Sequence, residues 1–481
     1  MADDPPFPSS LPSSSLPPFP TPVVYPPGWD DPLSDTGSDS SSQFDFPKFD
    51  YCEDLEKYVP GGLHPVHPGE TYDDGRYKIL HKLDFGGFAT VWLARDAHES
   101  RYVALKFVCA DESEGYRDLL SVEKYLPSAD DNVLGDYFVK SFGRLYFDGP
   151  NSGHPCEVMP VLGPSLSALS CHDLRLTPSS ARKLAFQAAQ ALAYLHSQGI
   201  CHGGKWSRLS DDQLELTHQL YLTSNNILIR LSSIDDLSED ELSTLLGAPE
   251  TAPVKRSSGQ PPEPSAPKYV VNVVDLTRLP WGLHDCICIT DFDRSFLVDD
   301  PPNDILGTPK KLLAPEAIYD LQPGPKSDVW ALACTIFRMR AGYDLFHDLL
   351  SRSPAAALIL VTSVLGPFPE KWAVVKFDDD GWPIQDSEVS TSEVNWEFVH
   401  AYKTAETPLE DLVSRIFDQR DSKEVEPVTQ AAITSPMIWR PPPPETGYSW
   451  TTIKSDGYEH LFTSMCEGEA ICFRDLLSKD V

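Results

Sequence analysis

The chain has 481 residues, of which 41% are hydrophobic and 10% aromatic, so it can bury a sizeable core in one large domain or in two to three ordinary ones. Its 72 acidic residues outnumber its 39 lysines and arginines, and the formal net charge is −33. This excess argues against binding of nucleic acid or anionic membranes through net charge, and it favours either basic partners or solubility alone.

The cysteines, the first residues and the longest apolar run bear on where the protein works. The ten cysteines show no C-x-x-C spacing, which predicts free thiols in a reducing compartment and argues against a zinc site. The opening MADDPPFPSS lacks the basic and apolar regions of a secretory signal. The apolar run from Ala355 is too short to span a bilayer and predicts a buried helix. We therefore expect an intracellular monomer, cytoplasmic or nuclear, that binds neither membranes nor nucleic acid directly.

The first part of the chain predicts a tail followed by a sheet. Residues 1–50 are Pro/Ser-rich and acidic, with too little apolar surface to fold alone, so we expect a disordered tail. Runs of β-branched and aromatic residues then predict strands of an antiparallel sheet at Tyr77–Leu83, Thr90–Arg95 and Tyr102–Val108. EGYRDLLSVEKYL predicts a helix, and strand character continues to CEVMPVLG.

The rest of the chain predicts mainly helices. TPSSARKLAFQAAQALAYLHSQG has a Thr/Ser start, apolar residues three and four apart, and Gly199 as a stop. NNILIRL and CICITDF predict short strands, and between them the polar segment 231–268 predicts a helix followed by a mobile loop. Two more apolar helices are expected at Val329–Arg340 and Ala355–Leu365. A sheet followed by helices predicts an α+β fold in two lobes.

A glycine-rich turn and a lysine form the first informative pair. In LDFGGFATVWLARD, glycines between two predicted strands let backbone amides approach phosphate oxygens, and Val91 can cover a flat base. Lys106, in VALK on the next strand, supplies a positive charge for phosphates. Gly86 and Gly87 alone would also suit a plain strand turn, but the lysine at this spacing favours a nucleotide site.

Two further residues indicate a metal ion beside those phosphates. Asp291, in ITDFDRSF, ends a predicted strand, where a carboxylate can hold a divalent metal that bridges phosphates. Asn226, at the head of NILI, can add an amide oxygen. Glu316 and Asp328 are predicted to be architectural, with Asp328 at a helix start, where a carboxylate caps free amides.

Taken in order, these stretches resemble the protein kinase signature set: a Gly-rich loop, VALK, a catalytic loop split between HG and NNIL, a D-F-G equivalent, A-P-E and D-V-W. More narrowly, FGGFATVWLARD, MPVLGPSL, ITDFDRSF and LGPFPEKW resemble the SR-protein kinase group, and the polar insert before Asp291 resembles its fungal members. The resemblance implies a bilobal α+β kinase fold, with a β-rich N-lobe over 72–162 and a helical C-lobe over 163–481 that carries inserts at 204–221 and 231–268. It also implies Ser/Thr phosphorylation of basic Arg/Ser-rich proteins, with ATP and Mg²⁺.

The resemblance also implies roles for individual residues. Lys106 would hold the ATP phosphates, paired with either Asp118 or Glu123 on the following helix. Asn226 and Asp291 would ligate Mg²⁺. The remaining nucleotide contacts are expected from the glycine-rich hairpin, the next strands and the hinge, namely Leu83, Phe85, Gly86, Gly87, Val91, Ala104, Met159, Val161 and Leu162.

Several residues depart from the family pattern. Asp84 stands where the first glycine of the loop usually lies, with its side chain expected to point to water. Asp293 replaces the glycine of D-F-G, as in fungal members of the group. The chain also ends early, so we expect a truncated C-lobe without the arginine that usually pairs with Glu316; Arg440 is one candidate substitute.

The most consequential departure lies in the catalytic loop. After His202, a scaffold residue of that loop, the family pattern continues Gly-Asp-Leu-Thr-Ser-Asn-Asn, but here Gly203 is followed by residues 204–221 before the pattern resumes at Leu222. The missing aspartate accepts or orients the substrate hydroxyl proton. Losing such a group costs on the order of 10² to 10⁴ in rate.

Three interpretations remain open. The chain is an SR-protein-kinase-like enzyme whose recorded sequence carries a retained short intron and a missed final exon; or it is a pseudokinase that binds ATP or partner proteins without phosphotransfer; or it is an unstable relic that binds nothing. The transcript sequence separates the first interpretation from the others. A rise in melting temperature with nucleotide separates the second from the third.

Overall fold

The computed structural model describes the greater part of residues 42–366 and shorter pieces beyond them. The described residues are 42–47, 49, 52–113, 125–127, 133–171, 174–203, 222–278, 282–301, 314–319, 323–346, 354–366, 368, 376–377, 383–384, 409–414, 416–419, 437–439, 462–465 and 468–471. Asp118, Glu123, the insert 204–221 and Arg440 lie outside the described residues.

Six strands form an antiparallel sheet in the order β1-β2-β3-β4-β6-β5. They are β1 (Thr71–Tyr72), β2 (Tyr77–Phe85), β3 (Ala89–Asp96), β4 (Arg101–Val108), β5 (Gly143–Gly149) and β6 (Ser152–Pro160). In β4, Val103, Leu105 and Phe107 are fully buried on one face, which leaves Ala104 and Lys106 on the other. The three strands predicted from sequence are confirmed as β2, β3 and β4.

Helices dominate the chain after the sheet. They are α1 (Leu166–Cys171), α2 (Pro178–Ser197), α3 (Glu239–Leu246), α4 (Pro315–Tyr319), α5 (Pro325–Ala341), α6 (Pro354–Leu365) and α7 (Leu409–Ser414). Thr177 caps α2 by accepting the Ser180 N–H, and the buried stripe of α2 packs against α5. The predicted helices at Val329–Arg340 and Ala355–Leu365 correspond to α5 and α6. A sheet followed by packed helices confirms the α+β fold class.

Short antiparallel strand pairs connect these elements. They are β7 (Arg175–Leu176) with β17 (Ile438–Trp439), β8 (Ile200–Cys201) with β13 (Phe296–Leu297), β9 (Ile227–Leu231) with β12 (Leu283–Ile289), β10 (Thr251–Pro253) with β11 (Tyr269–Val271), β14 (Lys376–Phe377) with β15 (Pro383–Ile384), and β16 (Phe417–Gln419) with β18 (Phe462–Ser464). Short 3₁₀ helices lie at Leu55–Lys57, Ala110–Ser113, Val133–Tyr137, Leu276–Arg278 and Phe292–Arg294. The β9–β12 pair shares the largest core cluster with α2 and α5, so its end is held rigidly beside the sheet.

The polar insert 231–268 contains a helix and a short strand, followed by turns and coil. Its first part forms α3, as predicted, with a capping box between Ser238 and Glu241. Its second part was predicted to be a mobile loop, and that prediction was wrong for Thr251–Pro253, which pairs with β11; residues 254–268 form mainly turns and coil. Buried and exposed residues alternate there, and Ala252 and Val254 pack in one cluster with residues of the N-terminal region. The insert contains few apolar residues, and these pack against residues far away in the chain. The local composition therefore gave no sign of the strand.

An N-terminal arm, residues 52–70, lies against the sheet and the insert. The Lys268 N–H donates to His67 Nε2 at 3.1 Å, and just before the arm the Asp45 N–H donates to the Lys255 carbonyl at 2.9 Å. Residues 42–47 and 49 belong to the predicted disordered tail, but Phe44 forms a bridge with Arg256. For these described residues the tail prediction was wrong; residues 1–41 lie outside the described part of the chain.

Two smaller expectations concern thiols and membranes. The cysteines with described side chains are all free thiols, namely Cys52, Cys109, Cys156, Cys201, Cys286, Cys288 and Cys334. Within the described ranges, no helix combines the length and the apolar character that crossing a bilayer requires. The apolar run from Ala355 lies in α6, where Leu358 is fully buried, as predicted for a core helix.

Candidate active site

A cavity of about 270 Å³ opens between the sheet and the end of the β9–β12 pair. The predicted ligand-contacting residues that line it are Leu83, Phe85, Gly86, Gly87, Val91, Ala104, Lys106, Met159, Leu162, Asn226 and Asp291. Val161 is not among the lining residues, because it packs beside Leu242 of the insert helix. The structure therefore brings together residues spread over more than two hundred positions of sequence.

The register of the sheet places one wall of the cavity. Val91 pairs with Lys106, and Lys106 pairs with Glu157 on β6. Two residues along the same two strands, Ala104 pairs with Met159. Since directly paired residues and residues two apart share a face, these five side chains lie on one side of the sheet. This side carries the apolar residues Val91, Ala104 and Met159 beside the charged pair Lys106 and Glu157, and the VALK pattern predicted the lysine.

Lys106 forms ion pairs with two carboxylates from the segment after β12. Its Nζ donates to Asp291 Oδ1 at 2.6 Å and to Asp293 Oδ2 at 2.5 Å. Sequence reasoning treated Asp293 only as a replaced glycine and missed its place in the site. The signal that could have found it was the spacing, because two acids flanking one phenylalanine can both reach a single cation across a short turn.

Asp291 adopts an unusual backbone conformation where the metal ligand was predicted. Its φ and ψ are 67° and 56°, in the left-handed region that non-glycine residues seldom occupy. Asp tolerates this region better than most residues, but strain of this kind persists only where surrounding contacts enforce it. Here the conformation turns the carboxylate from the strand end toward Lys106.

Asn226 reaches the same end of the cavity from the neighbouring strand. The β9–β12 register pairs Ile227 with Ile289, so the residues just beyond that pair are adjacent. The Thr290 N–H donates to the Asn226 carbonyl at 3.0 Å. Asn226 and Asp291 thus lie close together where β9 begins and β12 ends, as expected from their positions next to these strands.

Asp84 occupies the mouth of the cavity. Its Oδ1 accepts the N–H of Phe85 at 2.8 Å, and the side chain is exposed, in line with the expectation that it points to water. Protein atoms packed around the Asp84 carboxyl raise its pKa, and the negative charge of Asp291 adds to this rise, but because the side chain is exposed the group stays ionised at neutral pH. The residue therefore contributes negative charge at neutral pH close to the two carboxylates that face Lys106.

His202 is held as a scaffold rather than presented to the cavity. The fully buried Asp328 at the start of α5 accepts the N–H groups of His202 and Gly203 at 2.8 and 3.1 Å, and His196 Nε2 lies 3.1 Å from it. The His202 ring lies against Phe292, with ring centroids 5.2 Å apart. The prediction that Asp328 caps free amides of its own helix was wrong, because the N-cap of α5 is Gly324 and no side-chain cap bond is formed there. The Asp328 carboxylate instead fixes the backbone at the point where the catalytic-loop pattern breaks off.

The far side of that break is fixed to the same helix. The Thr335 hydroxyl donates to the Leu222 carbonyl at 3.4 Å, and Leu222 is fully buried. Asp328 and Thr335 lie two turns apart on α5, which corresponds to about 10 Å along one face of the helix. Gly203 and Leu222, the residues that flank 204–221, are therefore both anchored to one face of α5, and both are buried in the core.

Glu316 was expected to lack a partner. Its Oε1 accepts the Ser327 hydroxyl at 3.2 Å, and the residue is half-buried. A hydroxyl partner and access to solvent remove most of the cost expected for an isolated buried carboxylate. Because Arg440 lies outside the described residues, the substitution suggested for it stays a prediction.

The cavity end suits a metal-bound polyphosphate better than a bare metal ion. Within the part of the chain that the structure describes, no three His, Cys, Asp or Glu residues cluster to hold a metal. One lysine, the Asp291 carboxylate and the Asn226 amide do fit Mg²⁺, which prefers one or two protein ligands plus phosphate oxygens. The Asn225 Oδ1, buried at the same wall, accepts no hydrogen bond from a described residue and offers a further polar contact.

Known proteins with similar sequence are protein kinases. No model of a known protein family matches the chain. It is 35% identical over 159 residues to "Serine/threonine-protein kinase SKY1" of Saccharomyces cerevisiae, covering 31% of this chain and 21% of that protein. It is 38% identical over 158 residues to "Protein kinase dsk1" of Schizosaccharomyces pombe, covering 31% of this chain and 29% of that protein. The matched region thus spans less than a third of these two relatives.

A third relative matches over a longer stretch. "Serine/threonine-protein kinase SRPK" of Physarum polycephalum is 30% identical over 305 residues, which cover 61% of this chain and 67% of that protein. A match of this extent covers far more of the chain than one short motif.

Proposed function

Because the chain belongs to the SRPK-type serine/threonine protein kinases, we propose that it binds ATP with Mg²⁺ in the cavity and transfers the γ-phosphate to serine in basic, Arg/Ser-rich proteins. The observation that carries the proposal is the convergence of Lys106, Asn226 and Asp291 on one end of that cavity. A cation, a carboxylate and an amide oxygen beside an apolar wall suit a triphosphate, its metal ion and a flat base together.

Each part of the wall has a separate task. Val91 and Met159 share the apolar face of the sheet and would pack on the adenine. Lys106 would hold phosphate oxygens, and Asp291 with Asn226 would hold Mg²⁺. When bound, ATP would supply the phosphoryl group, and Mg²⁺ would neutralise part of the phosphate charge. The chain's own residues align the nucleotide with the serine hydroxyl and exclude water from between them.

The charges around Lys106 make the metal ion important for binding. Asp291 and Asp293 contact its Nζ, and Asp84 lies at the cavity mouth. ATP without a cation would bring further negative charge into a region where carboxylates already outnumber the lysine. A divalent cation offsets that negative charge, so tight nucleotide binding should require it.

The acidic charge of the chain is consistent with the basic substrate class that the family implies. The chain carries 72 acidic against 39 basic residues, so a basic substrate is attracted at long range. The free thiols support action inside the cell, in a reducing compartment.

One observation favours a second function, that of a pseudokinase which binds ATP or partner proteins without phosphotransfer. Residues 204–221 replace the aspartate that would follow Gly203, while Lys106, Asn226 and Asp291 keep their places. Nucleotide binding depends on Lys106, Asn226 and Asp291, whereas phosphotransfer depends on the missing aspartate. The two functions therefore differ in a single measurable step.

Two assays on the purified chain test the proposal and its alternative. Saturating Mg·ATP should raise the melting temperature by several degrees, since a ligand at one hundred times its Kd adds about 2.7 kcal/mol of stability. Lys106→Met should abolish that rise, whereas Lys255→Met, on the exposed insert, should keep it. A well-folded chain with no shift refutes nucleotide binding. Phosphate transfer to an Arg/Ser-repeat peptide supports the kinase, and binding without transfer supports the pseudokinase.

A further inference from the structure

A lysine of the N-terminal arm contacts the glycine-rich turn from outside the cavity. Lys57 Nζ donates to the Gly87 carbonyl at 2.8 Å. The same ammonium group lies over the Phe88 ring, 5.0 Å from its centroid. Gly87 and Phe88 both line the cavity, so Lys57 touches the turn that faces the ligand without lining the cavity itself.

The backbone that carries Lys57 is held in one conformation. It ends the 3₁₀ helix Leu55–Lys57, which Asp54 caps by accepting the Glu56 N–H. The Lys57 carbonyl accepts the Leu63 N–H at 2.8 Å as the chain turns back. A Cβ on Gly62 would lie 1.9 Å from that carbonyl oxygen, so only glycine permits this turn.

The arm is anchored to the strand that enters the glycine-rich turn. Glu53 forms a buried ion pair with Lys82 of β2, and the Tyr58 hydroxyl donates to Glu53 at 2.8 Å. Leu55, Tyr58 and Leu63 pack in one buried cluster with residues of the insert. The arm and β2 therefore form one rigid unit, and the contact made by Lys57 is built into that unit.

We propose that Lys57 is a positioning residue for phosphate binding, an inference that rests on the proposed nucleotide function. The peptide bonds of the described chain are trans, so the Gly87 C=O and the Phe88 N–H point in opposite directions. By holding the carbonyl on the arm side, Lys57 turns the amide N–H away from the arm, where it can meet a phosphate oxygen. The Phe88 carbonyl accepts the Cys109 N–H at 2.8 Å, which fixes the next peptide as well.

Isothermal titration calorimetry of the full chain with two ligands tests this role. Mg·ATP carries the phosphates that the turn would bind, and adenosine carries only the base and the ribose. Lys57→Met should raise the Kd for Mg·ATP about 10-fold, equivalent to 1.4 kcal/mol, and leave the Kd for adenosine within about twofold. Lys57→Arg, which keeps the cation and its donors, should recover most of the loss, and Lys255→Met should match the unaltered chain.

The outcomes separate this role from structural damage and from failure of the proposed function. An unchanged Mg·ATP Kd in Lys57→Met overturns the inference alone. An equal loss for adenosine and Mg·ATP also overturns it, because the lysine then supports the whole cavity rather than the phosphate turn. If the unaltered chain binds neither ligand, the proposed function fails and the inference falls with it. Should Lys57→Met melt at a lower temperature, Lys57→Leu, which also removes the donor to the Gly87 carbonyl and keeps an apolar side chain, is held to the same two criteria.

Discussion

Replacing residues 204–221 by one aspartate should restore the catalytic loop, and the structure shows why the shortened loop fits. The flanks are fixed at Gly203 and Leu222, whose partners Asp328 and Thr335 lie about 10 Å apart on α5. In the sequence Gly-Asp-Leu the two flanking residues are two Cα–Cα steps apart, about 7 Å when extended. The side chains of Asp328 and Thr335, which hold the flanks, span the remaining distance. The two anchors can therefore stay in place when the insert is removed.

The gain expected from this replacement is large. A positioned general base contributes on the order of 10² to 10⁴ in rate, so phosphorylation of an Arg/Ser-repeat peptide should rise at least 10²-fold over the unaltered chain. Transfer of labelled γ-phosphate to the peptide, at saturating Mg·ATP, measures the change. The matched control carries asparagine instead of aspartate at the junction, and it should stay near the level of the unaltered chain.

Two results would refute the reasoning. An asparagine variant as active as the aspartate variant would show that loop length, and not the carboxylate, limits the reaction. An aspartate variant that binds Mg·ATP and melts normally, yet transfers no phosphate, would show that the missing group lies elsewhere. High activity of the unaltered chain would instead mean that another group performs the role of the aspartate.

The remaining predictions concern the charges and the arm. Chelating the divalent cation should weaken ATP binding in titration calorimetry by at least 10-fold, and an equal Kd with and without metal would contradict the charge argument. Asp293→Asn removes one carboxylate beside Lys106 and should tighten metal-free ATP binding about 5-fold, from roughly 1 kcal/mol of relieved repulsion, whereas the exposed control Asp148→Asn should have no effect. Glu53→Ala leaves Lys82 buried without its carboxylate, so the free energy of unfolding in urea should fall by about 3–5 kcal/mol. A double variant, Glu53→Leu with Lys82→Met, should recover most of that loss, and a fall in the double variant as large as in the single one would contradict this account.

Local patterns in the sequence were sufficient for the sheet and for the wall of the cavity. Ala104 and Lys106 are two residues apart on one strand, so strand periodicity puts them on one face, and Val91 of the adjacent hairpin strand pairs with Lys106. The same holds for Asn226 and Asp291, each at the end of a recognisable strand. These residues were predictable because their positions follow from short-range periodicity and from strand ends.

Other features depend on contacts that local patterns do not contain. Lys57 reaches Gly87 only because a glycine-dependent turn and a buried ion pair orient the arm, and neither contact leaves a periodic signal. Asp293 joins the site because Asp291 takes a left-handed conformation, which composition does not indicate. The strand of the insert was missed because its apolar residues find their partners across the molecule rather than beside themselves.

The contact between the arm and the insert also fixes an order of events during synthesis. His67 binds Lys268, which is 201 residues later in the chain. At about 5 to 20 residues per second, a ribosome needs roughly 10 to 40 s to cover that distance. The arm emerges before the insert, and it stays incompletely docked until the insert has been translated. The arm is thus among the last parts of the sheet region to be secured, and a nascent chain stalled before the insert would expose the apolar side of the arm to chaperones.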